Sequence, residues 1–139
     1  MEYGAHLPVI DMTGRPFSLD LLLQYAGIAE ELGFQTLCVN DHLVFTRPWL
    51  DAPTTMAAVL SRTKRITLAT TVVLPIVRGL IPIAKAMAAI DLLANGRLFM
   101  GIGPGSSALD YRVAGIPYEE RWKRLDEAVQ ALRSLLGGN

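Results

Sequence analysis

The residues best suited to chemistry in this sequence are Asn40, Asp41 and His42, which directly follow a short apolar run at 36–39. Reactive groups in α/β folds collect at the carboxyl ends of strands, and histidine is well suited to proton transfer near neutral pH. Asp41 and His42 are therefore candidate site residues, and His42 is the candidate catalytic group. The structural alternative is that Asp41 forms an Asx turn and His42 caps the loop.

A second candidate is the glycine-rich segment 103–106, Gly-Pro-Gly-Ser, which follows an apolar run at 97–102. Glycines let the backbone approach a ligand closely, and successive N–H groups can hold an anion. A dinucleotide fingerprint starting at Gly101 needs a sixth-position glycine and a helix that opens there. Ser106 occupies that position, and the next helix is predicted only after Pro117. The fingerprint fails, which leaves a ligand-lining loop or a plain turn.

Other reactive residues have plainer interpretations. His6 is more typical of a core or rim histidine than of a catalyst, and Cys38 inside an apolar strand is typical of inert packing. The segment 70–75 predicts a buried strand leaving the sheet, with Arg78 entering the next helix. Trp49 either walls a pocket or pins a long loop.

The elements that position these residues alternate between two periods. Short apolar runs predict strands at 3–9, 36–39, 66–72 and 97–102. Apolar residues at helical spacing predict helices at 18–33, 53–61, 81–94 and 119–136. The strands begin roughly 30 residues apart, which is the size of a βα unit with its return loop. The pattern predicts a parallel sheet and leaves both a doubly wound sheet and part of a (β/α)8 barrel open.

Composition limits the classes of function. The chain has 139 residues, 51% of them hydrophobic, so one domain over residues 1–139 is expected. Its 13 basic and 13 acidic side chains balance, so neither nucleic acid nor a membrane is expected as a partner. One cysteine and two histidines argue against a metal site. The first residues lack the pattern of a secretory leader, and apolar stretches are broken before spanning length, which predicts a cytoplasmic protein.

Six motifs occur in an order that resembles the luciferase-like monooxygenase superfamily. Each motif is weak alone, but the ordered set is specific and extends over nearly the whole chain. The motifs are the segment 4–8, AEELGF at 29–34, Asp41-His42, TKRITLAT at 63–70, DLLANGRL at 91–98 and GIG at 101–103.

The resemblance implies a (β/α)8 TIM barrel of which this chain holds the first four βα units. It also implies an oxidoreductase that carries out hydride transfer or monooxygenation on a small organic substrate, with coenzyme F420, a deazaflavin, or alternatively with FMN. F420 is favoured by the Asn-Asp-His strand end. The implied cofactor-binding residues are Asp41, His42, Thr71, Val72, Gly103, Gly105 and Ser106, with His42 also catalytic and with a cis peptide bond between Thr71 and Val72.

Two departures from the family pattern stand out. Some deazaflavin-dependent members place a glutamate after the fourth-strand glycines as a proton donor, whereas Ser106 stands here. A full barrel takes about 250 residues, so this chain covers only half of one. A half barrel exposes strand edges, which predicts a homo-oligomer. It also opens an alternative function, a non-catalytic half barrel that self-associates or pairs with a complementary chain.

Overall fold

Four short strands lie side by side in a parallel sheet in a computed structural model that describes residues 1–14 and 16–137. The strands are β1 (Gly4–His6), β2 (Thr36–Val39), β3 (Thr67–Val73) and β4 (Leu98–Ile102), and their spatial order is their chain order. The classic doubly wound order places its first strand inside the sheet, whereas β1 here lies at an edge. This order matches successive strands of a barrel.

Three of the helices begin at residues whose side chains cap them. Side-chain oxygens of Ser18, Asp51 and Ser107 accept the backbone N–H groups of Leu21, Thr54 and Asp110. The helices are α1 (Leu19–Glu31), α2 (Ala52–Val59), α3 (Pro75–Arg78), α4 (Leu80–Leu93), α5 (Ala108–Ala114) and α6 (Arg121–Leu136), with a 3₁₀ turn at Tyr118–Glu120. Among the described residues, no helix is both long enough and apolar enough to cross a membrane.

The main core lies on one face of the sheet. Leu37, Val39 and Leu68 belong to the cluster of buried apolar side chains that the helices contribute to. Alternate strand residues point to the opposite face, where Thr71 and Phe99 are exposed. A doubly wound sheet carries helices on both faces, so coverage on one face is the barrel arrangement.

The amino ends of β3 and β4 are fixed by two charged side chains. The Glu30 carboxylate accepts the backbone N–H groups of residues 64–66, and the Arg97 guanidinium donates to the carbonyls of Thr63, Ile66 and Ala94. Burial raises the pKa of Glu30, but these N–H groups and the charge of Arg65 outweigh it and lower the pKa below its ordinary value. The motifs at 29–34, 63–70 and 91–98 therefore meet at the amino ends of the strands. The candidate site residues follow the carboxyl ends, at the other end of the sheet.

The predicted elements are all present, with boundaries that differ by a few residues, most at β1. Two short helices, α3 and α5, were not predicted. The interpretation that no helix opens soon after the glycine-rich loop was wrong, since Ser107 caps α5 and Gly115 ends it in the left-handed conformation. Seven residues are too few for helical periodicity to stand out, and only the capping pattern was available as a signal.

Candidate active site

The carboxyl ends of β2, β3 and β4 converge at one edge of the sheet. The Asp41 carboxylate accepts the backbone N–H of Leu74 at 3.3 Å, which joins the end of β2 to the end of β3. The backbone N–H of Gly103 donates to the Val73 carbonyl at 3.2 Å, which joins β3 to the glycine-rich loop. The predicted site residues of all three segments therefore share one edge.

Asp41 is engaged in a buried ion pair. Its side chain is 1% exposed, and its two oxygens accept from Nε and Nη2 of Arg78, each at 2.5 Å. Arg78 also pairs with Asp51, the residue that caps α2, at 2.6 Å. Burial lowers the pKa of Arg78, but Asp41 and Asp51 outweigh it and raise the pKa above its ordinary value. Arg78 thus joins Asp41 to Asp51 at this edge, a role that its predicted position in a helix did not indicate.

His42 takes its carboxylate partner from a distant part of the chain. Its Nδ1 lies 2.9 Å from Oδ2 of Asp110, in the first turn of α5, and not against the adjacent Asp41. The His42 side chain is 19% exposed, whereas that of Asp110 is 1% exposed. Of the Asp41-His42 pair, only the histidine presents its side chain to solvent.

Two aromatic rings flank the His42 ring. Trp49 meets it edge-on, with centroids 4.7 Å apart, and Phe45 lies 5.0 Å away. Trp49 is also bridged through its backbone to Ile10 in the loop after β1. Trp49 therefore lies beside His42 through its indole ring and holds a long loop through its backbone. Nε1 of Trp49 and Oδ1 of Asn40 are buried without a hydrogen-bond partner in the described part of the chain.

The glycines after β4 fit against β3. A Cβ added at Gly101 would lie 2.3 Å from the Thr70 carbonyl oxygen, and one at Gly103 would lie 2.7 Å from a methyl group of Val72. Gly105 has φ +77° and faces the Leu74 side chain. The alternate spacing of these glycines thus has a structural cause, close approach to the neighbouring strand.

The residues that contribute to the middle of this edge differ in exposure. The peptide bond between Thr71 and Val72 is cis, as the resemblance implied. Thr71 is exposed, Val72 is half-buried, Gly103 is buried and Ser106 is exposed. The backbone carbonyl of Ser106 accepts the hydroxyl of Tyr118 at 3.0 Å.

Sequence reasoning did not find Asp110 or Tyr111. Tyr111 is buried and donates its hydroxyl to the Pro104 carbonyl at 2.5 Å, which ties α5 to the glycine-rich loop, and burial raises its pKa. Ser107 followed three residues later by Asp110 is the pattern that could have revealed α5. Nothing in the linear sequence pairs Asp110 with His42, since 68 residues separate them.

Comparison with known proteins identifies relatives of this chain. A profile of the family described as luciferase-like monooxygenase matches residues 4–139. An F420-dependent glucose-6-phosphate dehydrogenase from Amycolatopsis mediterranei (strain U-32) is 37% identical over an alignment of 124 residues, and the match covers 82% of this chain and 37% of the relative.

Two solved structures extend the similarity to the fold. The monooxygenase RslO1 from Streptomyces bottropensis superposes with a TM-score of 0.84 and 29% identity, over 96% of this chain and 42% of that one. An F420-dependent secondary alcohol dehydrogenase in complex with an F420–acetone adduct gives a TM-score of 0.75 and 25% identity, over 95% and 40%. The chain spans less than half the length of these proteins.

Proposed function

Because this chain belongs to the luciferase-like monooxygenase family, we propose that it carries the cofactor-facing part of an oxidoreductase that acts on a small organic substrate. The membership confirms the resemblance drawn from the motifs. One observation carries the proposal: His42 stands at the end of β2, hydrogen-bonded to a buried carboxylate and flanked by two aromatic rings. A histidine held in this way is suited to proton transfer beside a bound ligand.

The proposed cofactor is coenzyme F420, with FMN as the alternative. F420 takes precedence because curated relatives and a solved structure of similar fold are named for it. The site fits a flat ring: aromatic side chains flank His42, and the unpartnered Oδ1 of Asn40 and Nε1 of Trp49 offer an acceptor and a donor. When bound, a deazaflavin would supply two-electron chemistry, because it can accept or donate a hydride.

The residues proposed to hold the ring come from three neighbouring strand ends. They are His42 after β2, Thr71 and Val72 at the end of β3, and Gly103, Gly105 and Ser106 after β4. Asp41, predicted as a further contact, supports the site through Arg78, since both of its carboxylate oxygens are already engaged. Gly103 contributes by letting the loop lie against Val72.

The chain's own residues are proposed to transfer the proton that leaves the substrate hydroxyl. Oxidation of an alcohol to a carbonyl removes a hydride from carbon and a proton from oxygen. Nε2 of His42 is the atom proposed to accept that proton and to return it in the reverse direction. Ser106, where some deazaflavin-dependent family members have glutamate, is not an equivalent acid, so the proposal rests on His42 alone.

A cofactor titration tests the proposal directly. The chain is titrated with F420 and with FMN under identical conditions, and binding is followed by visible absorbance. Saturable binding of F420 that is weakened by His42→Ala and not by His6→Ala supports it, because His6 lies on β1, which pairs with β2 and not with β3 or β4, whose ends are proposed to hold the ring. Binding of neither cofactor overturns it. Glucose 6-phosphate and 2-propanol are the first substrates to assay.

A second candidate function, self-association of a half barrel, is favoured by the exposed side of β4. Phe99 is 64% exposed on this strand, and β4 pairs only with β3 among the described residues. A cleft of about 490 Å³ separates β4 from α6, lined by Met100, Ile102, Val129, Leu132 and Leu136. Light scattering discriminates the two candidates: a monomer that binds F420 contradicts this one, and a dimer that binds neither cofactor supports it.

A further inference from the structure

The Asp110 carboxylate divides its two oxygens between two tasks. Oδ1 accepts the backbone N–H groups of Leu43 at 3.1 Å and Val44 at 2.9 Å, and Oδ2 lies 2.9 Å from Nδ1 of His42. The first task shapes the loop after β2, and the second acts on the imidazole alone. The two tasks can therefore be separated by a substitution that alters only one oxygen.

The contact with Oδ2 fixes where the imidazole carries its proton. An ionised carboxylate accepts hydrogen bonds and donates none, so Nδ1 of His42 must be the donor. In the neutral ring Nε2 is then unprotonated and free to accept. Within the described part of the chain, no hydrogen bond engages Nε2, and the rings of Phe45 and Trp49 restrict rotation of the imidazole.

The Asp110 carboxylate belongs to α5, the helix that follows the glycine-rich loop. Ser107 caps the helix by accepting the Asp110 N–H at 3.3 Å, and the adjacent Tyr111 holds the Pro104 carbonyl. The position of Oδ2 thus depends on the residues that hold the loop after β4 in place. The orientation of His42 is therefore linked to the conformation of that loop.

We propose that Asp110 is a positioning residue that keeps the proton of His42 on Nδ1 and leaves Nε2 as the atom offered to a ligand. This inference rests on the proposed function for its catalytic meaning, but the protonation pattern exists in the free protein. It can therefore be measured without cofactor or substrate.

Nitrogen-15 spectra of the imidazole rings give the direct test. Long-range proton–nitrogen correlations distinguish the two neutral tautomers, and His6→Gln leaves His42 as the remaining histidine. The expected spectrum of the uncharged His42 ring in this parent shows the proton on Nδ1. A spectrum with the proton on Nε2 overturns the proposal, whatever the variants below do.

Asp110→Asn isolates the role of Oδ2. The carboxamide retains one oxygen for Leu43 and Val44 and turns its NH₂ group toward Nδ1, so the proton is expected to move to Nε2. The ratio of the two tautomers should change at least tenfold, which corresponds to about 1.4 kcal/mol. An unchanged ratio in the folded variant overturns the proposal. Asp126→Asn, at an exposed position of α6, is the matched control and should leave the ratio unchanged.

Separate measurements distinguish failure of this inference from failure of the proposed function. If the tautomer moves in Asp110→Asn but the parent binds neither F420 nor FMN, the positioning role stands and the cofactor assignment falls. If F420 binds and the tautomer does not respond, Asp110 is a structural residue alone. Should Asp110→Asn fail to fold, the parent spectrum still decides which nitrogen carries the proton.

Discussion

Replacing Arg78 by methionine tests the buried ion pair at the end of β2. The substitution preserves much of the apolar stem but removes both guanidinium donors from Asp41, whose side chain is 1% exposed. The carboxylate then retains the Leu74 N–H at 3.3 Å. Breaking a buried pair by removing one partner costs about 3–5 kcal/mol, because a charge stays buried without compensation.

The expected loss is large enough to measure in two ways. For a chain of 139 residues, the entropy of unfolding makes each kcal/mol worth about 3 °C in Tm, so Arg78→Met should lower Tm by about 10–15 °C. Urea unfolding followed by circular dichroism gives the free energy of unfolding independently. Adding Asp41→Asn to Arg78→Met should recover most of the loss, because it removes the stranded charge.

Arg62→Met is the control, since Arg62 also forms an ion pair, with Glu31 at 2.9 Å, but both side chains are about half exposed or more. Exposed pairs contribute about 0–1 kcal/mol, so little change in the free energy of unfolding is expected. If Arg78→Met costs no more than Arg62→Met, or if the double variant is no more stable than Arg78→Met, the buried pair does not stabilise this edge as argued.

Three further predictions concern the framework. Glu30→Gln should cost about 1–2 kcal/mol, since an amide replaces a carboxylate that accepts three N–H groups, whereas Glu31→Gln should be nearly neutral in urea unfolding. Gly101→Ala should destabilise by about 1–3 kcal/mol, because its Cβ would lie 2.3 Å from a β3 carbonyl oxygen; unchanged stability would contradict that approach. Burial raises the pKa of Asp51, but Thr54 and Arg78 outweigh it and lower the pKa below 3.8. Its stabilising contribution is therefore full above that value and lost as pH falls through the folded-state value, so the gap in unfolding free energy between wild type and Asp51→Asn should be wider at pH 7 than at pH 3.

Hydrophobic periodicity and capping residues predicted much of the fold. Apolar runs and helical spacing located four strands and the helices α1, α2, α4 and α6, because each element buries one face and the pattern of burial is local in the chain. The choice between a doubly wound sheet and a barrel is not local. It came from the ordered motifs, and the strand order and the uncovered face of the sheet support it.

The candidate site was predicted in part. His42 and Asp41 were predicted as site residues because both follow the end of an apolar strand. In the folded chain Asp41 pairs with Arg78, 37 residues away, and His42 pairs with Asp110. Adjacent side chains leaving an extended strand point to opposite sides, so proximity in sequence works against their pairing.

The sequence by itself determined the four strands and the helices α1, α2, α4 and α6, their alternation as βα units and the family to which the chain belongs, and it predicted His42 as the candidate catalytic residue. Tertiary structure alone decided the partners of the charged side chains and the reason for the spaced glycines. Hydrogen bonds and ion pairs across the sheet depend on which strands become neighbours and in which register. Separations of 37 and 68 residues are bridged by packing, and no short-range pattern in the chain encodes them.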